Sequence, residues 1–396
     1  MTTQQIVVAS DGPGPTHVGG SRRLFFGVSG LYLSLYLHYG FFAFIPLWLK
    51  HIGAPPSEIG VLMAIPLILR LLTVAPFSAW AGRRGRVRDA IVVTATLSAA
   101  IITLLLGEPG YAGRIATVLV FSIMWDQLPV LTDAYAVMAV RSHALDFGRM
   151  RVWGSIGVVI STASAGWAFE LTGIEMLPIL VASLLLLPAI VAPLLPPDRH
   201  MATAERGAGG KWREVIADRT LMRGLVAAAM LMASHGVLTS FGAIQWTDRG
   251  LSIGTIGMLQ ALAVSAEIGA FWFGSKLLGE RDPVLLICIA GAAATVRWLV
   301  MAIDPGLPVL IVVQLLHSVT STGAILGSML IIARRVAVQN SAAAQGLNAV
   351  LLGVALAATT AGSGLLWAYG VAPAYLAMAG LAALGMVVAW PRRIQR

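Results

Sequence analysis

Apolar residues in this chain come in long runs, with polar and charged residues confined mostly to short stretches between them. A helix that crosses a bilayer needs about 20 such residues, and twelve runs qualify. In the first half they cover roughly 25–47, 59–79, 89–107, 115–140, 150–170 and 175–195. In the second half they cover roughly 222–246, 254–276, 284–303, 308–333, 343–369 and 371–390. Strands of a membrane barrel would instead read as alternations of about 10 residues. The pattern predicts an all-α membrane protein with twelve transmembrane helices in two six-helix, pseudo-symmetric halves. Its expected parts are a cytoplasmic tail (1–24), an N-terminal bundle (25–195), a polar cytoplasmic linker (196–221), a C-terminal bundle (222–391) and a short basic tail (392–396). The first twenty residues are polar and Gly/Pro-rich and lack the apolar core of a cleavable signal peptide.

The two halves match each other at a fixed offset of 197 residues. With no gap between 38–64 and 235–261, His38 falls on His235, Gly53 on Gly250, Ile59 on Ile256, Gly60 on Gly257 and Leu62 on Leu259. Six residues beyond that stretch, Arg70 falls on Glu267. Internal duplication with ionisable residues at matched depths is the sequence signature of a transporter built from repeats.

Composition narrows the class further. Hydrophobic residues make up 58% of the chain and charged ones 11%, against about 25% charged in a soluble domain. The net charge of +9 does not point to nucleic acid, because the cations sit in loops between apolar runs. With both termini and the even-numbered loops assigned to the cytoplasm, 22 of the 27 Lys and Arg fall on that side, as the positive-inside rule requires. Lys50, Arg114 and Arg249 fall outside, and Arg70 and Arg297 lie within runs. The single cysteine, Cys288, rules out an intrachain disulfide.

Charges inside the runs are the candidate chemistry. Arg70 lies in the second, Asp126 and Asp133 in the fourth, Glu267 in the eighth and Arg297 in the ninth. His38, His235 and His317 lie in the first, seventh and tenth. A charge at the bilayer centre costs roughly 3 kcal/mol on insertion scales, so five unpaired ones would cost on the order of 15 kcal/mol. Pairing or a wet cavity is therefore expected. Seven-residue spacing places Asp126 and Asp133 on one face of a continuous helix. Buried ion pairs that only fix helix positions would satisfy the same spacing, and His38 and His235 fit helix contacts better than proton carriage. Trp153 and Trp298 stand out among the tryptophans through their charged neighbours.

The loop Ser78–Arg88 (SAWAGRRGRVR) resembles the Gly-x-x-x-Asp-Arg-x-Gly-Arg loop of the major facilitator superfamily. Gly82 stands where the family has the acid, beside Arg83, Gly85 and Arg86, so the gating latch that this acid serves is expected to be altered. Phe147–Gly157 (FGRMRVWGSIG) resembles the start of the fifth helix in lactose-permease-like and phenylpropionate-permease-like proton symporters. By that resemblance Asp133 and Arg151 correspond to a substrate-holding acid–arginine pair, with Asp126, Arg70 and Trp153 as further substrate-binding candidates. Glu267, Arg297 and His317 correspond in order to a proton-coupling network, although Thr320 stands where lactose permease has another acid. The runs QLLH, Arg297-Trp298 and AQGL (Ala344–Leu347) lie closer to the phenylpropionate permease branch.

No Walker loop, zinc-spaced Cys/His set, dinucleotide fingerprint or nucleophile–base pair is present. The expectation is a monomeric transporter of the bacterial cytoplasmic membrane, not an enzyme, with no cofactor and no bound metal. It would carry a small organic solute with protons by alternating access, an aromatic monocarboxylate ahead of a sugar or nucleoside. Efflux by proton antiport is the alternative within the class, and a transport-dead sensor on the same fold is the alternative outside it.

Overall fold

The computed structural model describes residues 18–143, 145–197, 212–278, 281–337 and 340–390. Twelve helices in these segments are long and apolar enough to cross a membrane. The first-half spans are Ser21–Phe42, Pro56–Gly82, Val87–Gly107, Tyr111–His143, Phe147–Thr172 and Ile174–Leu194. The second-half spans are Arg219–Asp248, Ile253–Phe273, Pro283–Ala302, Leu307–Arg335, Ser341–Trp367 and Val371–Ala389. An even number of crossings places the two chain ends on one face, called here the near face. The first, third and later odd-numbered spans start there.

Carboxylates close several of these starts. Asp146, Asp218 and Asp282 each accept a backbone N–H from the first turn of the span that follows, satisfying amides that a helix start leaves unpaired. Asp218 also accepts from Arg335 (2.9 and 3.2 Å), tying the start of the seventh span to the end of the tenth.

The repeat is visible in the backbone. The helices of the second and eighth spans begin at Pro56 and Ile253, 197 residues apart, so Arg70 and Glu267 are each the fifteenth residue of their helix. The preceding span is broken at the matched histidines, with Tyr39–Phe42 following His38 and Gly236–Asp248 following His235. Both linking turns then pass through a glycine in the left-handed region, Gly53 at φ 80° and Gly250 at φ 81°.

The halves meet along two seams, the second span against the eleventh and the fifth against the eighth. Toward the far face these contacts become backbone on backbone. A Cβ on Gly364 would lie 2.2 Å from the Pro56 carbonyl oxygen, and one on Gly166 would lie 2.4 Å from that of Ile253. Small residues permit such approach where lipid supplies no hydrophobic drive between helices. Two polar links reinforce the far face across the halves: Lys50 pairs with Asp248, and Glu170 accepts from the Gly254 N–H at 2.8 Å.

Three expectations are corrected. The first run is not one helix from 25 to 47 but three segments, Val18–Tyr36, Tyr39–Phe42 and Ile45–His51; Pro46 cannot donate to Phe42 and ends the middle segment. The fourth run breaks at Asp126, between Tyr111–Trp125 and Gln127–His143, because the Pro129 ring opposes the carbonyl of Trp125 four residues earlier. Asp126 and Asp133 therefore do not share one face of one helix. The stretch 196–221 carries a short helix, Trp212–Ala217, and the seventh span begins at Arg219. Most of the N-terminal tail, much of the central linker and the tail 392–396 lie outside the described residues.

Candidate functional site: two polar clusters and an apolar cavity

The first-half cluster is built from the first, fourth and fifth spans. Tyr32 Oη donates to Asp133 Oδ1 at 2.7 Å, and Arg151 Nε lies 3.6 Å from the same oxygen. Arg151 Nη2 donates to Tyr36 Oη at 2.8 Å, and its guanidinium sits over the rings of Tyr36 (4.7 Å) and Tyr32 (5.3 Å). The sequence-predicted pair thus forms, inside a tyrosine frame that the sequence reading missed. Tyr32 and Tyr36 lie one helical turn apart on the first segment, a spacing common in membrane helices that does not by itself mark a site. The side chains of Asp133 and Arg151 are 43% and 35% exposed, so the pair faces open space and is not buried in the bundle.

Arg70 and Asp126 lie apart from that pair. Asp126 is 3% exposed, and its Oδ2 has no hydrogen-bond partner. Arg70 is exposed and acts electrostatically on Asp126, Tyr36 and Tyr39, yet it forms no ion pair or hydrogen bond among the described residues. Trp153 is exposed and joins neither group through a hydrogen bond or ring contact among the described residues.

The second-half cluster is deeper. Glu267 accepts a hydrogen bond from Ser321 and lies 3.5 Å from His317 Nε2. His317 Nδ1 lies 3.1 Å from Arg297 Nη1. A guanidinium only donates, so Nδ1 is the acceptor and the imidazole proton sits on Nε2, facing the carboxylate. Arg297 is fully buried, stacks over Trp298 at 4.6 Å, and donates to Gln314 Oε1 (3.0 Å) and Thr320 Oγ1 (3.4 Å). Thr320, at the place of the family's acid, reaches His235 Nε2 at 3.1 Å. His235 Nδ1 turns to the carbonyls of Leu231 and Met232 (3.1 and 3.3 Å) at the break in the seventh span. Sequence reading supplied Glu267, Arg297 and His317; it missed Ser321 and Gln314, one turn either side of His317.

In the altered loop, Gly85 takes a left-handed conformation at φ 57° and lets the chain turn into the third span. Gly82 is in the last turn of the second-span helix with open space where a Cβ would stand, and Arg86 precedes the next helix. The side chain of Arg83 lies outside the described residues. Among those residues no group of His, Cys, Asp and Glu is arranged to hold a metal.

A third feature is an apolar cavity of about 200 Å³ between the first, second and fourth spans, reached also by Thr239, Leu356 and Thr360 of the second half. Phe42, Met63, Pro66, Leu67, Phe121 and Trp125 line it. Trp125 Nε1 meets His38 Nε2 at 2.6 Å, which holds the indole at the cavity wall.

Two pseudo-symmetric helical bundles, closed together at one face and bringing ionisable groups to matched depths, define a membrane transporter. The model of the MFS_1 like family matches residues 26–377, and the chain belongs to that family within the major facilitator superfamily. It is 31% identical over 354 residues to a "Probable 3-phenylpropionic acid transporter" of Escherichia coli, covering 85% of this chain and 90% of that protein. It is 25% identical over 257 residues to a maltose permease of Geobacillus stearothermophilus, covering 63% and 64%. Among solved structures, a point variant of the nucleoside transporter NupG superposes with a TM-score of 0.81 at 14% identity, covering 92% of this chain and 98% of that one. A bacterial homologue of the human lysosomal transporter Spinster, in an inward-facing and unoccupied conformation, gives 0.71 at 12% identity over 94% and 95%. The chain is a multi-pass membrane transporter for a small molecule, and not an enzyme.

Proposed function

We propose that this transporter carries an aromatic monocarboxylate into the cell together with protons, through rocking of its two halves about the midplane. The substrate class rests on the 31% identity to the relative named for 3-phenylpropionic acid. The proton coupling rests on one observation, the continuous chain from Glu267 through His317 to Arg297. A carboxylate held by an imidazole whose other nitrogen accepts from a guanidinium has its proton affinity set by both neighbours. A shift of the eighth span against the tenth within the second half that lengthens the 3.5 Å contact as the halves rock therefore changes whether Glu267 holds a proton.

In the first half, Asp133 and Arg151 line the substrate path within the tyrosine frame, and Trp153 borders the approach. The loop of Gly82, Arg83, Gly85 and Arg86 connects the second and third spans without the carboxylate that latches relatives. The protein acts as a monomer in the bacterial cytoplasmic membrane, with both termini and the near face cytoplasmic. The far face, sealed by Lys50–Asp248 and the glycine seams, then faces outward, and the conformation is open to the inside.

The test is uptake of labelled 3-phenylpropionate into proteoliposomes under an imposed pH gradient. Wild type accumulates the acid and loses the accumulation when a protonophore is added. Glu267→Gln abolishes accumulation while leaving counterflow exchange intact. Accumulation that follows a sodium gradient and ignores the protonophore would overturn the coupling but not the transport.

A further inference from the structure

Of the three arginines Arg70, Arg151 and Arg297, two are already engaged. Arg151 is bound to Asp133 and Tyr36, and Arg297 to Gln314, Thr320 and His317. Arg70 is exposed and has no hydrogen bond or ion pair among the described residues, although an uncompensated charge at membrane depth is costly. An exposed guanidinium with no hydrogen-bond or ion-pair partner is a ready anion receptor.

The position of Arg70 relative to the apolar cavity gives the anion a shape. Pro66 and Leu67 line that cavity, and they precede Arg70 by four and three residues on the same helix. Residues at those spacings share a helix face, so Arg70 stands one turn beyond the cavity wall on the same face of the second-span helix. On the fourth span Phe121 and Trp125 line the cavity, and Asp126, at the helix break just after Trp125, lies within electrostatic reach of Arg70. Asp126 is buried at 3% exposure, whereas Arg70 is open, so an incoming anion meets the cation first.

The lining is apolar apart from two threonines, the indoles of Trp48 and Trp125, the second of which is committed to His38, and Arg114, which is itself paired with Glu58. An apolar cavity of about 150 Å³ already stays dry and takes a benzene ring; this one is about 200 Å³. Aromatic edges from Phe42, Phe121 and Trp125 suit an aryl guest.

We propose that this cavity is the ring-binding subsite of the transporter and that Arg70, not Arg151, receives the substrate's carboxylate. The inference rests on the aromatic-monocarboxylate reading above and specifies where such a substrate lies. The site spans both halves through Thr239, Leu356 and Thr360, so an occupied ring ties the rocking bundles together at their far-face end.

The experiment is calorimetric titration of the full chain in nanodiscs with 3-phenylpropionate, its amide 3-phenylpropionamide, and 3-(2-naphthyl)propionate. Met63→Trp fills the cavity and weakens 3-phenylpropionate binding at least tenfold. Arg70→Gln removes the preference of wild type for the acid over the amide. Phe121→Ala enlarges the cavity and raises affinity for the naphthyl acid at least fivefold, a gain that misfolding cannot produce. If Met63→Trp binds as wild type does and Arg151→Gln, not Arg70→Gln, removes the acid preference, the subsite is overturned while the substrate class stands. If wild type binds none of the three compounds, the substrate class itself falls, and the subsite with it.

Discussion

Gly53 and Gly250 hold the same left-handed conformation, φ 80° and 81°, in turns that link matched pairs of spans 197 residues apart. No atom lies within 4 Å of a Cβ built on either one. Replacement therefore carries a conformational cost and no steric one, of about 1–2 kcal/mol. Gly53→Ala and Gly250→Ala should lower the detergent unfolding midpoint by similar amounts, with Asn milder than Ala at both positions. Unequal losses would show that the two turns are not structural equivalents.

The glycine seams make a sharper prediction about conformation. A Cβ at Gly364 would lie 2.2 Å from the Pro56 carbonyl oxygen and 2.9 Å from Ser57 Cα, so even alanine must push the far-face ends apart. In a Cys288→Ser background, a Ser57→Cys probe should react several-fold faster with an impermeant maleimide in Gly364→Val than in the parent. Uptake should fall in the same variant while its size-exclusion profile is unchanged. An unaltered labelling rate would mean that the seam does not close the far face.

Coupling can be traced to specific carboxyls. Thr320 cannot titrate, Asp133 is held by Tyr32 and Arg151, and the acids left within the spans near the site are Glu267 and Asp126. The double variant Asp126→Asn/Glu267→Gln should behave as a facilitator whose uptake ignores a protonophore. Residual protonophore-sensitive accumulation would assign coupling to a group other than these two.

At the near face, outside the spans, partial burial pushes the Asp218 carboxyl upward, but the Arg335 guanidinium and the amides of Leu221 and Thr220 outweigh it and hold it below its ordinary range. A depressed carboxyl stabilises the fold fully above its unfolded pKa, near 3.9, and loses that contribution as pH falls through the folded value. Asp218→Asn retains a capping side chain but loses the charge. Wild type should exceed it in unfolding midpoint by a constant margin from pH 8 to 5, with the margin shrinking below about pH 4. A margin that grows on acidification would reverse the sign assigned to the Arg335 contact.

How legible the site was depended on what each feature is made of. Glu267, Arg297 and His317 were readable because a charge inside an apolar run is conspicuous, and the Asp133–Arg151 pair came from the motif around the fifth span. The hydroxyl partners were not conspicuous. Tyr32, Tyr36, Ser321 and Gln314 are ordinary residues for a membrane helix, and only their approach to a charged atom gives them a role. Trp153, singled out for its neighbours in sequence, joins no cluster. Asp126 was placed beside Asp133 by a helical rule that Pro129 breaks.

The sequence by itself determined the twelve crossings, the 197-residue repeat and the presence of Arg70, Asp126, Asp133, Glu267 and Arg297 within the apolar runs. These follow from local chemistry: an apolar run of sufficient length has to cross, and a left-handed turn selects glycine wherever it occurs. Only the tertiary structure decided which charges are engaged and which one is free. Arg70 and Arg297 look alike as letters in apolar runs, yet one is exposed with no hydrogen-bond or ion-pair partner among the described residues and the other is buried among hydrogen-bond acceptors. That distinction depends on how spans far apart in sequence pack, because the cost of a charge in the membrane is set by the atoms brought within a few ångströms of it.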